Sequence, residues 1–249
     1  MQPAAWILLL VLAAILAAWG VHWLLRNPRG DLETGLVYRL MQVYSRLYHG
    51  LKVSGREHIP RSRNAGPLIV VANHTAGVDP VLIQAACPFE IRWIMASNMR
   101  LPQYDWFWDW AKIISVHRTG RDLAGAREAI RHLKNGGVLG VFPEGGLERP
   151  AESIMPFLPG AGFIIAHTEA KVLPVIISGT PAVDPAWASL WVPSRSRLRF
   201  GPMLSFGGRG LSAAEITQEL HTWFIEQTGW PESAGPVDEP ALPPAPAEA

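Results

Sequence analysis

Residues 4–25 form an almost unbroken apolar run, interrupted only by Gly20 and His22. At about 1.5 Å per residue, a helix of this length spans roughly 33 Å, close to the ~30 Å hydrocarbon core of a bilayer. Trp6, Trp19 and Trp23 stand towards its two ends, where indoles favour the interface. Ala13, Ala14, Ala17 and Ala18 would suit a cleavage site, but Met1-Gln2-Pro3 lacks the positive start of a secretory leader and the run is long for one. Arg26 and Arg29 come directly after it, which by the positive-inside bias puts the downstream chain in the cytoplasm. The expectation is a single-pass anchor over residues 1–30 that holds a domain on the cytoplasmic face of the cell membrane.

The composition of the whole chain points to a membrane-associated protein, and its length suits one α/β domain beside the anchor. Only 17% of the 249 residues are charged and mean hydropathy is +0.12, both unusual for a fully soluble protein. The 22 Lys plus Arg against 21 Asp plus Glu leave a formal charge of +1, which argues against a nucleic-acid partner. A single cysteine, Cys87, excludes an intrachain disulfide and any cysteine-rich zinc site.

Apolar positions Leu36, Leu40, Leu47 and Leu51 recur at helical spacing, widened by Val37, Met41, Tyr44 and Tyr48. That helix either lies on the bilayer beside the anchor or packs on the domain. Short apolar runs at 68–72, 91–95, 138–142 and 172–178 predict buried strands, with further strands at 198–200 and 203–206. Helices are predicted from Pro80 to about Ala86, from Leu123 to Lys134 with Gly136-Gly137 as its stop, over 162–169, and from the capping box Ser212-Ala213-Ala214-Glu215 to about Thr228. This alternation predicts an α/β domain over residues 31–230, with a mixed, largely parallel sheet flanked by helices. Residues 231–249 are Pro/Ala-rich and predict a disordered tail.

Ligands of such sheets sit beyond the carboxyl ends of the strands. Three polar motifs fall there. In Asn73-His74-Thr75-Ala76-Gly77-Val78-Asp79-Pro80, Asp79 is the expected N-cap of the next helix, and a strand-to-helix turn can fold it back onto His74. A carboxylate on one imidazole nitrogen fixes the tautomer, so that the other nitrogen can take a proton from a hydroxyl. In Phe142-Pro143-Glu144-Gly145-Gly146, the glycines permit close backbone approach and Glu144 suits a polar acceptor. In Ile113-Ile114-Ser115-Val116-His117-Arg118, with Arg121 nearby, a guanidinium suits a phosphate. Taken alone, each motif reads more readily as an ordinary cap, turn or solvated charge; only the combination is specific. The dense aromatics Trp106, Phe107, Trp108 and Trp110, broken by Asp105 and Asp109, suggest a face towards membrane or acyl chain, against core packing as the alternative.

The order N-H-x4-D, I-x-V-x-R, F-P-E-G, then Leu173-Pro174-Val175-Ile176 resembles the glycerophospholipid acyltransferase family over roughly residues 50–205. The resemblance implies a fatty acyl transfer from acyl-CoA or acyl carrier protein to a lysophospholipid hydroxyl, without a covalent acyl-enzyme. It implies His74 as general base, Asp79 as its orienting partner, and Asn73, Arg118, Glu144, Gly145 and Gly146 at the substrate. Pro174 belongs to a block associated with the acyl donor. No metal and no cofactor are implied, only the acyl donor as co-substrate and membrane lipids as partners. The third block departs from the family's common F-P-E-G-T-R-S, carrying Gly146, Leu147 and Glu148 in its last three places, with Arg149 two positions beyond the expected arginine. That departure leaves open an acceptor other than a lysophosphatidate, such as an amino-acid-headed lipid, or a lipid-binding protein without turnover. No G-x-S-x-G elbow or H-E-x-x-H motif supports a hydrolase.

Overall fold

The computed structural model describes residues 3–116 and 123–233. Helix α1 (Pro3–Leu25) carries the apolar run and has no buried residue. Among the described residues it is the one helix long and apolar enough to cross a membrane. Its last three carbonyls, orphaned by the end of the helix, and that of Arg26 just beyond it accept from side chains. Arg39 donates to Trp23 O and Arg26 O, Asn27 to Leu24 O, and Arg63 to Leu25 O.

Helix α2 (Leu32–Leu47) begins and ends four residues before the predicted span, because Asp31 caps it by accepting Thr34 N–H at 2.7 Å. It crosses the end of α1 so closely that a Cβ on Gly35 would lie 2.3 Å from Leu24 O. One face of the helix packs on the domain and the other is exposed. Thr34, Gly35, Tyr38 and Ser45 are buried, while Leu32, Leu36, Leu40, Val43 and Leu47 stay exposed.

The body is a seven-stranded sheet of β1 (Lys52–Ser54), β2 (Leu68–Ala72), β3 (Arg92–Ala96), β4 (Ile114–Val116), β5 (Val138–Val141), β6 (Lys171–Ser178) and β7 (Arg197–Phe200). The spatial order is β1-β7-β6-β2-β5-β3-β4, with only β6 and β7 antiparallel. The fold is therefore α/β with a mixed, largely parallel sheet, as the alternation predicts. Period-two burial sorts the central strands between two cores. Leu68, Val70, Ala72, Leu173, Val175 and Ile177 face one core, under α2 and α3 (Asp79–Ala86). Ile69, Val71, Val172 and Ile176 face the other, under α5 (Leu123–Lys134), α6 (Pro159–Thr168) and α7 (Ala213–Thr228). The short helix α4 (Asp105–Trp110) lies between β3 and β4.

Three expectations need correction. Residues 203–206 form no strand, only a single bridge from Leu204 to Val172. The C-terminal segment does not come loose at residue 231, since Pro231 O accepts Ile154 N–H and Ser233 N–H donates to Ile154 O. Residues 234–249, the rest of the expected tail, lie outside the described residues. Third, Asp79 is not an N-cap. It is the first residue of α3, with Val78 at the cap position and no capping side chain, and its carboxylate faces backwards into the preceding turn.

Candidate active site

Strand β2 lies at the middle of the sheet between β5 and β6, so the chain leaving its carboxyl end has neighbours on both sides. The turn from β2 into α3 wraps around Asp79. One oxygen of Asp79, Oδ2, accepts Thr75 N–H at 2.8 Å, Ala76 N–H at 2.8 Å and the Nδ1 of His74 at 3.0 Å. Asp79 is fully buried, and the His74 side chain is 19% exposed. An acceptor-only carboxylate at Nδ1 makes that nitrogen the protonated one. Nε2 then carries the lone pair, and it has no protein partner among the described residues.

The backbone of His74 is pinned from the other side by the turn after β5. His74 N–H donates to Glu144 Oε2 at 3.2 Å, and His74 O accepts Glu148 N–H at 2.6 Å. The imidazole stacks on Phe142 at 3.9 Å between centroids and 13° between planes, and Phe142 stacks in turn on Trp93 at 4.8 Å and 12°. Gly145 has φ +68°, and a Cβ there would lie 2.3 Å from Leu158, so this corner admits glycine alone without strain. On the remaining side, Ser189 accepts Val78 N–H at 3.0 Å, and Ala186 O approaches Gly77 too closely for a Cβ.

Asn73 and Glu144 have side chains behind this turn rather than on the cleft wall. Asn73 is buried, exchanges hydrogen bonds with both N–H and C=O of Ile177 on β6, and donates to Glu148. Burial, with the charges of Glu148 and Asp79 beside it, pushes the Glu144 carboxyl well above the usual range. Glu148, seen in the sequence only as a departure, accepts Thr75 Oγ1 at 2.5 Å, Glu152 N–H at 3.0 Å and Asn73 Nδ2 at 3.2 Å. Its carboxyl is also raised by burial, against the pull of those hydrogen bonds. Arg149 does not reach the cleft. It donates to Thr75 O, Glu148 O, Val183 O and Asp184, and so ties the turn to residues 183–184. Arg118 and Arg121 lie outside the described residues.

In front of His74 opens a cleft of about 1030 Å³. Gly145, Gly146 and Leu147 line it beside the histidine, Val37, Leu40, Met41 and Tyr44 of α2 form one wall, and Phe107, Trp108 and Trp110 of α4 contribute to another. The aromatic segment of α4 is thus divided. Trp108 is buried at the cleft, Trp106 is 70% exposed, and Arg100 holds both Asp105 and Asp109. The wall residues come from many separate segments with no shared spacing, which leaves most of them without a signal in the sequence. The site as a whole offers a proton acceptor on a pinned imidazole at the edge of a long apolar cavity. That arrangement can deprotonate a hydroxyl carried on an apolar molecule.

Comparison with known proteins gives the same direction. A family model described as acyltransferase matches residues 50–178. A 1-acyl-sn-glycerol-3-phosphate acyltransferase of Borreliella burgdorferi is 32% identical over 132 residues, 51% of each chain. An N-acylphosphatidylethanolamine synthase of Arabidopsis thaliana is 29% identical over 142 residues, 51% of this chain and 50% of that one. The chain thus spans about half the length of these curated relatives. The crystal structure of the 1-acyl-sn-glycerophosphate (LPA) acyltransferase PlsC of Thermotoga maritima superposes with a TM-score of 0.61 at 26% identity, covering 79% of this chain and 82% of that one.

Proposed function

We propose that this chain, which belongs to the glycerolipid acyltransferase family, moves a fatty acyl group from acyl-CoA or acyl carrier protein to the hydroxyl of a lysophospholipid. The observation that carries the proposal is His74 Nδ1 on buried Asp79 at 3.0 Å, with the other ring nitrogen free in a cleft of about 1030 Å³. Nε2 takes the acceptor's hydroxyl proton as its oxygen attacks the thioester carbonyl carbon. The tetrahedral intermediate expels the thiolate, which recovers the proton from the imidazolium. Asp79 holds the ring and balances its charge in between. Asn73, Glu144 and Glu148 act on this step through the turn they hold, and Gly145 and Gly146 let the protein backbone approach the substrate closely.

The setting is a membrane surface. Helix α1 spans the bilayer once, with Arg26 and Arg29 on the cytoplasmic side. The exposed row Leu32, Leu36, Leu40, Val43 and Leu47 of α2 lies against the lipid, so the cleft that α2 helps to wall is fed from the membrane. One observation favours a second acceptor class. Leu147 lines the cleft where the family commonly carries an arginine, and Arg149 is engaged elsewhere. An acceptor without a phosphate at this point, such as an amino-acid-headed lysolipid, fits that wall.

The test is thiol release from a long-chain acyl-CoA, and from acyl carrier protein, by the membrane-embedded chain with and without a panel of phosphate-bearing and amino-acid-headed lysolipids. Acceptor-dependent release that falls by about 10²–10⁴-fold in His74→Ala supports general-base transfer. Release that is absent with every donor and acceptor, beside intact lipid binding, would leave a binding protein without turnover.

A further inference from the structure

Indoles are mostly buried in folded chains, because so large an apolar ring is stabilised by being covered. Two tryptophans of this domain are not. Among the described residues outside α1 and α2, the most exposed large apolar side chains are Trp191 at 79% and Trp106 at 70%. Each belongs to an element that also supplies cleft wall. Trp106 is in α4, which gives the cleft Phe107, Trp108 and Trp110. Trp191 ends the short helical turn Ala186–Trp191, which gives it Ala186, Trp187 and Leu190.

Named contacts fix both indoles relative to the membrane helices. Arg29 stands four residues beyond the end of α1 and two before Asp31, the cap of α2. Its guanidinium lies over the Trp110 ring at 4.7 Å and donates to Trp110 O. That contact sets α4 beside the point where α1 ends. Trp106 comes one helical turn before Trp110, on the same side of α4. Trp191 is tied to the opposite end of α2. Tyr44 OH donates to Leu190 O, and the OH of Tyr48, the C-cap residue of α2, donates to Trp191 O, both at 2.6 Å. Leu47, the last member of the exposed row of α2, is 78% exposed at that end. The two indoles therefore stand at the two ends of an apolar helix about 24 Å long.

We propose that Trp106 and Trp191 are seated in the headgroup layer of the bilayer, so that the domain meets the membrane along α2, α4 and the 186–191 turn together. The occupant of this surface is lipid. An indole pairs an apolar body with one N–H, which suits the headgroup level, and the surface continues the row of α2 that faces lipid in the reading above. The inference rests on that membrane setting and not on acyl transfer. Trp108 and Trp187 touch at 5.3 Å between ring centroids, so α4 and the 186–191 turn form one joined wall of the cleft. Their outer indoles hold that wall on the same membrane as α2.

The experiment is spin labelling of the full chain in phosphatidylcholine/phosphatidylglycerol nanodiscs at one chain per disc. Cys87, the single cysteine, is fully buried, so Trp106→Cys and Trp191→Cys each offer one reactive thiol. Leu36→Cys in the row of α2 and Thr222→Cys, exposed on α7 across the sheet, are the references. The readout is the accessibility of the label to oxygen, which concentrates in lipid, over its accessibility to a water-soluble nickel chelate. The ratio at 106 and at 191 should be several-fold above that at 222 and approach that at 36. Ratios at 106 and 191 equal to that at 222, beside a high ratio at 36, overturn the proposal and leave the α2 contact standing. A low ratio at 36 as well removes the membrane setting and the proposal with it. A high ratio at one indole position alone overturns the contact of the other element. Protection seen only in discs holding two chains would assign the surface to a second copy and overturn the lipid contact. If a label disturbs the fold, Trp106→Phe and Trp191→Phe carry the test in brominated lipid. Each should lower the quenched part of the fluorescence, and quenching equal to wild type in both overturns the proposal.

Discussion

The two sides of His74 are built on opposite plans. Behind the ring, most polar groups have a named partner, although Asp79 Oδ1 and Glu144 Oε1 are buried without one. Asp79 gathers three donors, Glu148 gathers three more, and Arg149 ties the same turn to residues 183–184. In front of it, the wall is apolar and drawn from α2, α4, α6 and the segment around Trp187. The hydrogen-bonded side has one geometry and cannot shift without leaving a buried group unpaired. The apolar side is shaped by volume alone and can be remodelled in small steps. Under the proposed acyl transfer, this difference assigns rate and substrate choice to separate parts of the molecule, so changes behind the ring should act on kcat and changes in front on chain selection.

Asp79→Asn is the largest test of that division. The amide keeps the shape but loses the charge, and it offers a donor where Thr75 N–H, Ala76 N–H and His74 Nδ1 all need an acceptor. Turnover should fall by about 10²–10³-fold with KM for both substrates nearly unchanged. Steady-state kinetics with a single acceptor decide it, and a rise in KM in place of the loss in kcat would break the comparison. Met41→Trp is the next largest, on the opposite side. Met41 lines the cleft from α2, half-buried, and a larger ring there shortens the cavity. The ratio of kcat/KM for long over short acyl chains should drop by about ten-fold, within the ~1–3 kcal/mol that overpacking commonly costs. Short-chain turnover should stay within about two-fold, which assays over a series of acyl lengths would show.

The same division explains what can be read from the sequence. The back of the site is local. His74 and Asp79 share one turn, Glu144 and Glu148 share another, and the two strands that bring the turns together are uninterrupted apolar runs. The strand of 68–72 and the helix of Leu123–Lys134 are legible to the residue, because the strand is a short, uninterrupted apolar run bounded by Gly66-Pro67 and Asn73, and the helix is strongly amphipathic with Gly136-Gly137 as its stop. Asp79 reads as a cap because an acid before a proline has the same pattern whether its carboxylate faces forwards to the helix or backwards to an imidazole. Glu148 registers only as an irregular residue, since its role depends on Asn73 and Thr75, more than seventy positions away. The front of the site is illegible for a like reason. Val37, Met41, Trp93, Trp108 and Trp187 meet only after the sheet has formed, and an apolar residue facing a cavity has the same pattern as one facing a core.

The smallest effect expected is a change in how stability varies with pH, and it probes the back of the site without touching a reacting atom. The Glu144 carboxyl is raised well above its unfolded value of 4.5, first by burial and then by the neighbouring charges of Glu148 and Asp79. The folded chain therefore holds this proton more tightly than the unfolded chain does. The stability that the proton contributes is complete below about pH 4.5 and is lost as pH rises through the raised value. Glu144→Gln imitates the neutral acid and keeps an oxygen for His74 N–H, so it should remove this loss. Melting temperatures should match wild type at low pH and exceed it by about 2–4 °C where wild-type Glu144 would otherwise ionise, the shift expected for ~1 kcal/mol in a domain of this size. Parallel melting curves at every pH would mean that the acid is solvated or paired in the folded chain. The hydrogen-bonded side of His74 would then be less closed to water, and less unlike the cleft in front of it, than the geometry says.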